Sequence, residues 1–151
     1  MDVARACTWG ASAVAAIGAA VVVAAPAGAS NRVLSVAIAF AVGALAMAAN
    51  ALKWRLQLWL GIALYLAGTL AILYGMVRAL SLPLRLAVEG VCPPQSVSCP
   101  LGFEHPETAG ENIAVYAATV LGATALLLAF MAVEARFVHP RRWERDRGAP
   151  V

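Results

Sequence analysis

The chain has 151 residues, of which 62% are hydrophobic and 13% charged, and its net charge is +3. Soluble domains use about 45–50% apolar and about 25% charged residues, so a water-soluble globule of this size could not conceal so much apolar surface. The composition points instead to a chain whose solvent is largely the lipid bilayer.

Four apolar runs follow one another along the chain. The first spans about residues 8–25 and carries no charge between Thr8 and Ala25. It also reads as a secretory signal, with Arg5 before it and Ala27-Gly28-Ala29 after it as a cleavage site. Asp2 offsets Arg5, and the run exceeds the usual apolar length of about 7–15 residues for such signals. The expectation is therefore a retained span, with cleavage of residues 1–29 as the alternative. The second run covers about 33–52, with Asn50 its most polar member. The third covers about 56–77, between Arg55 and Arg78. The fourth covers about 113–133, closed by Glu134 and Arg136. Helix rises about 1.5 Å per residue, so about 20 residues cross a hydrocarbon core about 30 Å thick. The runs do not alternate apolar with polar residues as barrel strands do, and in lipid every backbone N–H and C=O must be satisfied. The expected fold is an all-α integral membrane protein, a four-transmembrane-helix bundle over 1–135 with a polar, basic tail over 136–151.

The connections differ in character. Pro26–Arg32 carries the turn formers Pro26, Gly28, Ser30 and Asn31, and Lys53–Arg55 is a tight basic turn. The connection over 78–112 is long and holds Pro83, Pro93, Pro94, Pro100 and Pro106. Its first part, Ala79–Val91, reads as a short surface helix beginning near Pro83. Leu101-Gly102-Phe103 is an apolar triplet suited to the membrane interface or to another protein. With the N-terminus inside, the inner side holds Arg5, Lys53, Arg55, Arg136, Arg141, Arg142, Arg145 and Arg147, and the outer side only Arg32, Arg78 and Arg85. The positive-inside bias thus places both termini in the cytoplasm and the long connection outside it. The Ala- and Arg-rich composition suggests a bacterial inner membrane.

Lipid tails are as apolar as leucine, so helices associate through close approach at small residues. The third run carries Gly61, Gly68 and Gly75, seven apart and on one face. The fourth has Ala114, Ala118, Gly122, Ala125 and Ala129; the second has Ala37, Ala41, Ala44 and Ala48; the first has Ala11, Ala15 and Ala19. These faces serve packing within the bundle or contact with partner helices. Trp9, Trp54 and Trp59 lie near span ends, where indoles favour the headgroup zone.

Candidate chemistry is sparse. Cys92 and Cys99 share the external connection, where thiols oxidise and disulfides persist. A structural disulfide is expected, closing the loop between the third and fourth helices. A thioredoxin-like pair has two intervening residues rather than six, and Cys7 lies alone on the other side. A metal site from Cys92, Cys99, Glu104, His105 and Glu107 matches no zinc spacing. Coupled transport calls for an ionisable residue within a span; the deepest polar groups are Asn50, Thr69, Thr119 and Thr124. A transporter or pore predicts a hydrated cavity near Asn50 and Thr69. His105 and His139 lie outside the spans, so haem is not expected, and no other cofactor is implied. Glu134 and Arg136 sit where the last helix leaves the membrane, solvated or paired with Lys53 or Arg55. Arg141, Arg142 and Arg145 suit anionic lipid headgroups, and a short tethered tail does not suit nucleic acid. The expected role is a non-enzymatic accessory or structural subunit of a larger membrane complex. It would contact other membrane-protein subunits through the external loop and the small-residue helix faces. A thiol or metal-dependent enzyme on the loop is the alternative.

Overall fold

In hydrocarbon the backbone finds hydrogen-bond partners only within its own segment, and each of the four apolar runs folds as a helix. The structure, a computed structural model, describes residues 3–26, 31–52, 58–92, 101 and 106–138. Its helices are α1 (Val3–Ala24), α2 (Asn31–Leu52), α3 (Leu58–Glu89) and α4 (Ala109–Val133), and α4 runs on into a π-helical turn at Glu134–Val138. All four are long and apolar enough to cross a membrane, as in a multi-pass membrane protein.

The helices form a ring in which α1 packs on α2, α2 on α3, α3 on α4 and α4 on α1, with little contact across the diagonals. Each neighbour runs antiparallel to the last. Ser12 and Arg5 of α1 reach Ala44 and Ala51 of α2, Met47 and Phe40 of α2 face Gly68 and Gly75 of α3, and Gly10 and Gly18 of α1 face Leu128 and Leu121 of α4. The up-down-up-down order gathers Arg5, Ala51, Gly61 and Arg136 at one end of the bundle.

The centre is built around one ring. Phe40 is fully buried and faces a glycine on each of the other three helices. A Cβ at Gly18 would stand 2.6 Å from Phe40 Cδ1, one at Gly75 2.7 Å from Cδ2, and one at Gly122 3.0 Å from Cζ. α2 and α3 also approach at Gly43 and Gly68, where a Cβ on either would lie 3.2 Å or 3.4 Å from the other's carbonyl oxygen. The rest of this core is mostly Ala, Val and Ile: Ala15, Val22, Val36, Ile72, Ala118 and Ala125.

Helix ends follow local chemistry. α4 starts at a capping box: Thr108 Oγ1 accepts from Glu111 N–H at 3.2 Å, and Glu111 Oε2 accepts from Thr108 N–H at 3.0 Å. α3 stops at Gly90, whose φ of 85° reverses the chain. The separate surface helix expected over Ala79–Val91 is corrected: α3 continues without a break through Pro83 to Glu89. Pro83 stands on the exposed side, and Ser81 Oγ donates to Arg78 O at 2.7 Å just before it. α1 likewise begins at Val3 rather than Thr8, which brings Arg5 into its first turn.

Close approach also governs the corner where α1 ends and α4 begins, since a Cβ at Gly110 would run into the Ala25 carbonyl oxygen and Pro26 Cα. Gly61 is different: a Cβ there would meet only the Arg136 guanidinium, at 3.5 Å. Gly110→Ala should therefore lose about 1–3 kcal/mol through forced backbone movement, while Gly61→Ala loses none and gains up to about 1 kcal/mol from alanine's helix propensity. Thermal unfolding of both variants in the same detergent checks this, and equal melting would contradict it.

Candidate functional site

Polar side chains inside the bundle concentrate at the end that carries Arg5 and Arg136. Thr8 on α1 donates its hydroxyl proton to Ala4 O at 2.8 Å. A hydroxyl has one proton, so the Tyr65 hydroxyl on α3 is the donor in its 2.6 Å bond to Thr8 Oγ1. Asn50 on α2 is fully buried. Its amide nitrogen donates to Gly61 O on α3 at 3.3 Å, and its amide oxygen accepts from Arg136 Nη1 at 3.1 Å. Arg5 Nε donates to Ala51 O at 3.1 Å; this carbonyl lies in the last turn of α2, where intrahelical donors run out and a cation favours the helix dipole.

The π-helical turn supplies the fourth wall. One extra residue in the turn brings Arg136 to Asn50, and sets Phe137 edge-on to Tyr65 with centroids 6.0 Å apart at 85°. The Arg136 guanidinium lies 5.1 Å from the Phe137 ring centre, a cation–π distance. Nearer the middle, Ser12 Oγ donates to Ala44 O at 2.9 Å. This layer is a set of interhelical ties in which each group is engaged by another helix or its own backbone, and it contains no pairing of a nucleophile with a base.

The opposite end holds a smaller cluster. Glu111 is buried in its capping box. Glu107 Oε1 is buried and accepts no hydrogen bond among the described residues. Burial pushes the Glu107 carboxyl above the ordinary glutamate range; the charge of Glu111 adds to the rise and that of Arg32 opposes it.

The residues singled out from sequence fall in several places. Gly68 and Gly75 face α2, Gly122 faces Met76 and Phe40, and Ala118 is fully buried. Gly61 lies beside Arg136. Gly68, Gly75, Gly122 and Ala118 are thus occupied inside the bundle, the first of the two roles expected of the small-residue faces. Ala41 on α2 is exposed, because Phe40 and Met47 take the inward positions. Thr69 bonds back to Tyr65 O at 2.8 Å and Leu66 O at 3.1 Å, and Thr119 and Thr124 bond back to their own helix. Asn50 and Thr69, near which a transporter or pore predicts a hydrated cavity, are both engaged in direct hydrogen bonds. An open groove of about 460 Å³ lies elsewhere, between α2 and α3, lined by residues that include Ser35, Val42, Leu70 and Tyr74.

Cys7 is a free thiol and Cys92 is buried. Cys99, Glu104, His105, Trp54, Arg141, Arg142 and Arg145 lie outside the described residues. Trp59 is widely exposed and Trp9 less so. Among the described residues no three His, Cys, Asp or Glu side chains converge as metal ligands. Sequence reasoning missed Tyr65, Phe40 and Arg5 as tie points. For Tyr65 the signal was its register, four residues after Gly61 on the inward face. Comparison of the chain with known protein families, curated proteins and solved structures finds no match.

The Asn50–Arg136 tie can be measured. Asn50→Leu and Arg136→Met should each destabilise the bundle, and the double variant should lose less than the sum by about 0.5–3 kcal/mol. Unfolding in mixed micelles gives the cycle, and additive losses would contradict a direct tie.

Proposed function

We propose that this chain is a non-enzymatic accessory or structural subunit of a larger membrane assembly. It lies in the cell membrane with both termini cytoplasmic, and the external connection is closed by a Cys92–Cys99 disulfide. The observation that carries this reading is where the interior polar groups go. Thr8, Ser12, Asn50, Tyr65 and Arg136 all engage other helices, so the polar groups of this layer hold helices together. The outward faces of all four helices expose large apolar side chains, among them Val23, Leu45, Leu66 and Phe130, and in this reading the external connection and the basic tail are further contact surfaces.

The orientation rests on the arginine and lysine asymmetry. It is supported by the gathering of Arg5 and Arg136 at the end of the bundle where Asn50 and Ala51 close α2. The disulfide rests on the shared oxidising compartment of the two thiols and on the burial of Cys92. The tail arginines Arg141, Arg142 and Arg145 would strengthen contact with anionic headgroups by about 1 kcal/mol per charge.

Affinity purification of the tagged full chain from membranes in mild detergent tests the reading. A second, larger polypeptide in fixed stoichiometry is the expected result. Recovery of this chain alone, or only with copies of itself, would overturn it.

A further inference from the structure

The groove between α2 and α3 opens toward lipid, and the polar groups around it set it apart from the convex outer faces of the bundle. Ser35, Ala39 and Val42 of α2 and Leu70, Ala71 and Tyr74 of α3 line a volume of about 460 Å³. The alanines leave the recess and the larger side chains form its walls. From Ser35 to Val42 the helix rises about 10 Å, against about 15 Å for one leaflet of a hydrocarbon core about 30 Å thick. The recess runs along the bundle axis, as the upper part of an acyl chain does.

One cation stands at its mouth. Arg78 follows Ala71 by seven residues and Tyr74 by four, so it continues the groove wall along one face of α3. Gly75 packs on Phe40 and Gly122 on Met76, which sets the Arg78 backbone level with about Ala37 of α2 and Val120 of α4. The apolar runs of those helices continue outward to Val33 and Ile113. Arg78 is exposed; an arginine facing lipid from that depth is rare, and its long side chain carries the charge to the headgroup boundary. Arg85, two turns on, is drawn to Glu89, with Nε 3.8 Å from Oε1, and Arg32 on α2 is attracted by Glu107. Arg78 makes no ion pair among the described residues. The groove also holds an unused hydroxyl. Thr8, Thr69, Ser81, Thr119 and Thr124 bond back to their own helices and Ser12 bonds to α2, whereas Ser35 Oγ is buried without a hydrogen-bond partner. Ser35 as a whole is only partly covered, so rotation about χ1 turns its hydroxyl into the groove.

We infer that the groove binds one anionic glycerophospholipid, with an acyl chain lying between α2 and α3 and the phosphate on the Arg78 guanidinium. The guanidinium fork matches two phosphate oxygens at once. Ser35, at the level of the glycerol, donates to an ester carbonyl oxygen. Among the described residues no carboxylate lines the groove, so the amine of a zwitterionic headgroup finds no counter-charge there and the anionic headgroup is preferred. The site depends on the bundle lying in lipid and not on the accessory role.

Native mass spectrometry of the full chain, released from nanodiscs of equal phosphatidylglycerol and phosphatidylcholine, tests the site. The chain should retain phosphatidylglycerol several-fold over phosphatidylcholine. Arg78→Gln should lower that retention several-fold, and Ala71→Phe, which fills the recess and leaves every charge in place, should lower it as well. Arg85→Gln should keep it, and so should a variant in which Arg141, Arg142 and Arg145 are all changed to Gln, which removes the headgroup contacts of the tail. Melting in lipid-free detergent controls for folding, and the exposed Arg78→Gln should melt with the wild type. Unchanged retention in Arg78→Gln, equal losses in Arg78→Gln and Arg85→Gln, loss only in the tail variant, or equal retention of the two lipids by the wild type would each overturn the proposal.

Discussion

A single aromatic ring sets how closely the four helices approach. Lipid gives no hydrophobic drive for one helix to join another, so association depends on close packing and on bonds between helices. Phe40 fills the centre from α2, and Gly18, Gly75 and Gly122 leave the space for it on the three facing helices. A side chain at any of those positions would push its helix outward. Because α1 is held against α2, Ser12 reaches the Ala44 carbonyl; because α2 is held against α3, Asn50 reaches Gly61.

The two ends of the bundle are finished differently. At one end Arg5, Thr8, Asn50, Tyr65 and Arg136 tie all four helices, with the π-helical turn adjusting the register of the last. At the other, Gly110 lets α4 start hard against Ala25 and Pro26, and the Thr108–Glu111 box closes its first turn. Between these ends the inward surface is small and apolar, and the outward surface is large and apolar. Hydrocarbon permits that inversion of the usual soluble pattern.

The existence of the four helices was legible because length and uninterrupted hydropathy suffice for it. Their ends were less so. Arg78 and Pro83 read as the end of a span, yet α3 passes both, since an exposed proline breaks one bond without forcing the chain to turn and an arginine outside the hydrocarbon carries little cost. The inward register of Gly68, Gly75 and Gly122 could be read from spacing. That Phe40 is their common occupant could not, because hydropathy does not separate a phenylalanine facing lipid from one facing three glycines. Arg136 looked like a headgroup charge because nothing in an apolar run announces a π-helical turn. Asn50 stood out as polar, but its partners lie 11 and 86 residues away, beyond any local pattern.

The fit between Phe40 and its glycines is tested most directly by the effect of Gly75→Ala on unfolding in two backgrounds. Alanine is intrinsically the better helix former by about 1 kcal/mol, so an unfavourable change comes from crowding, in which the ring at 2.7 Å is much tighter than the next neighbour, Ala39 Cβ at 3.3 Å. The account predicts that Gly75→Ala destabilises the chain when Phe40 is present and stabilises it in Phe40→Ala, where the methyl enters vacated space. The same sign in both backgrounds would contradict it.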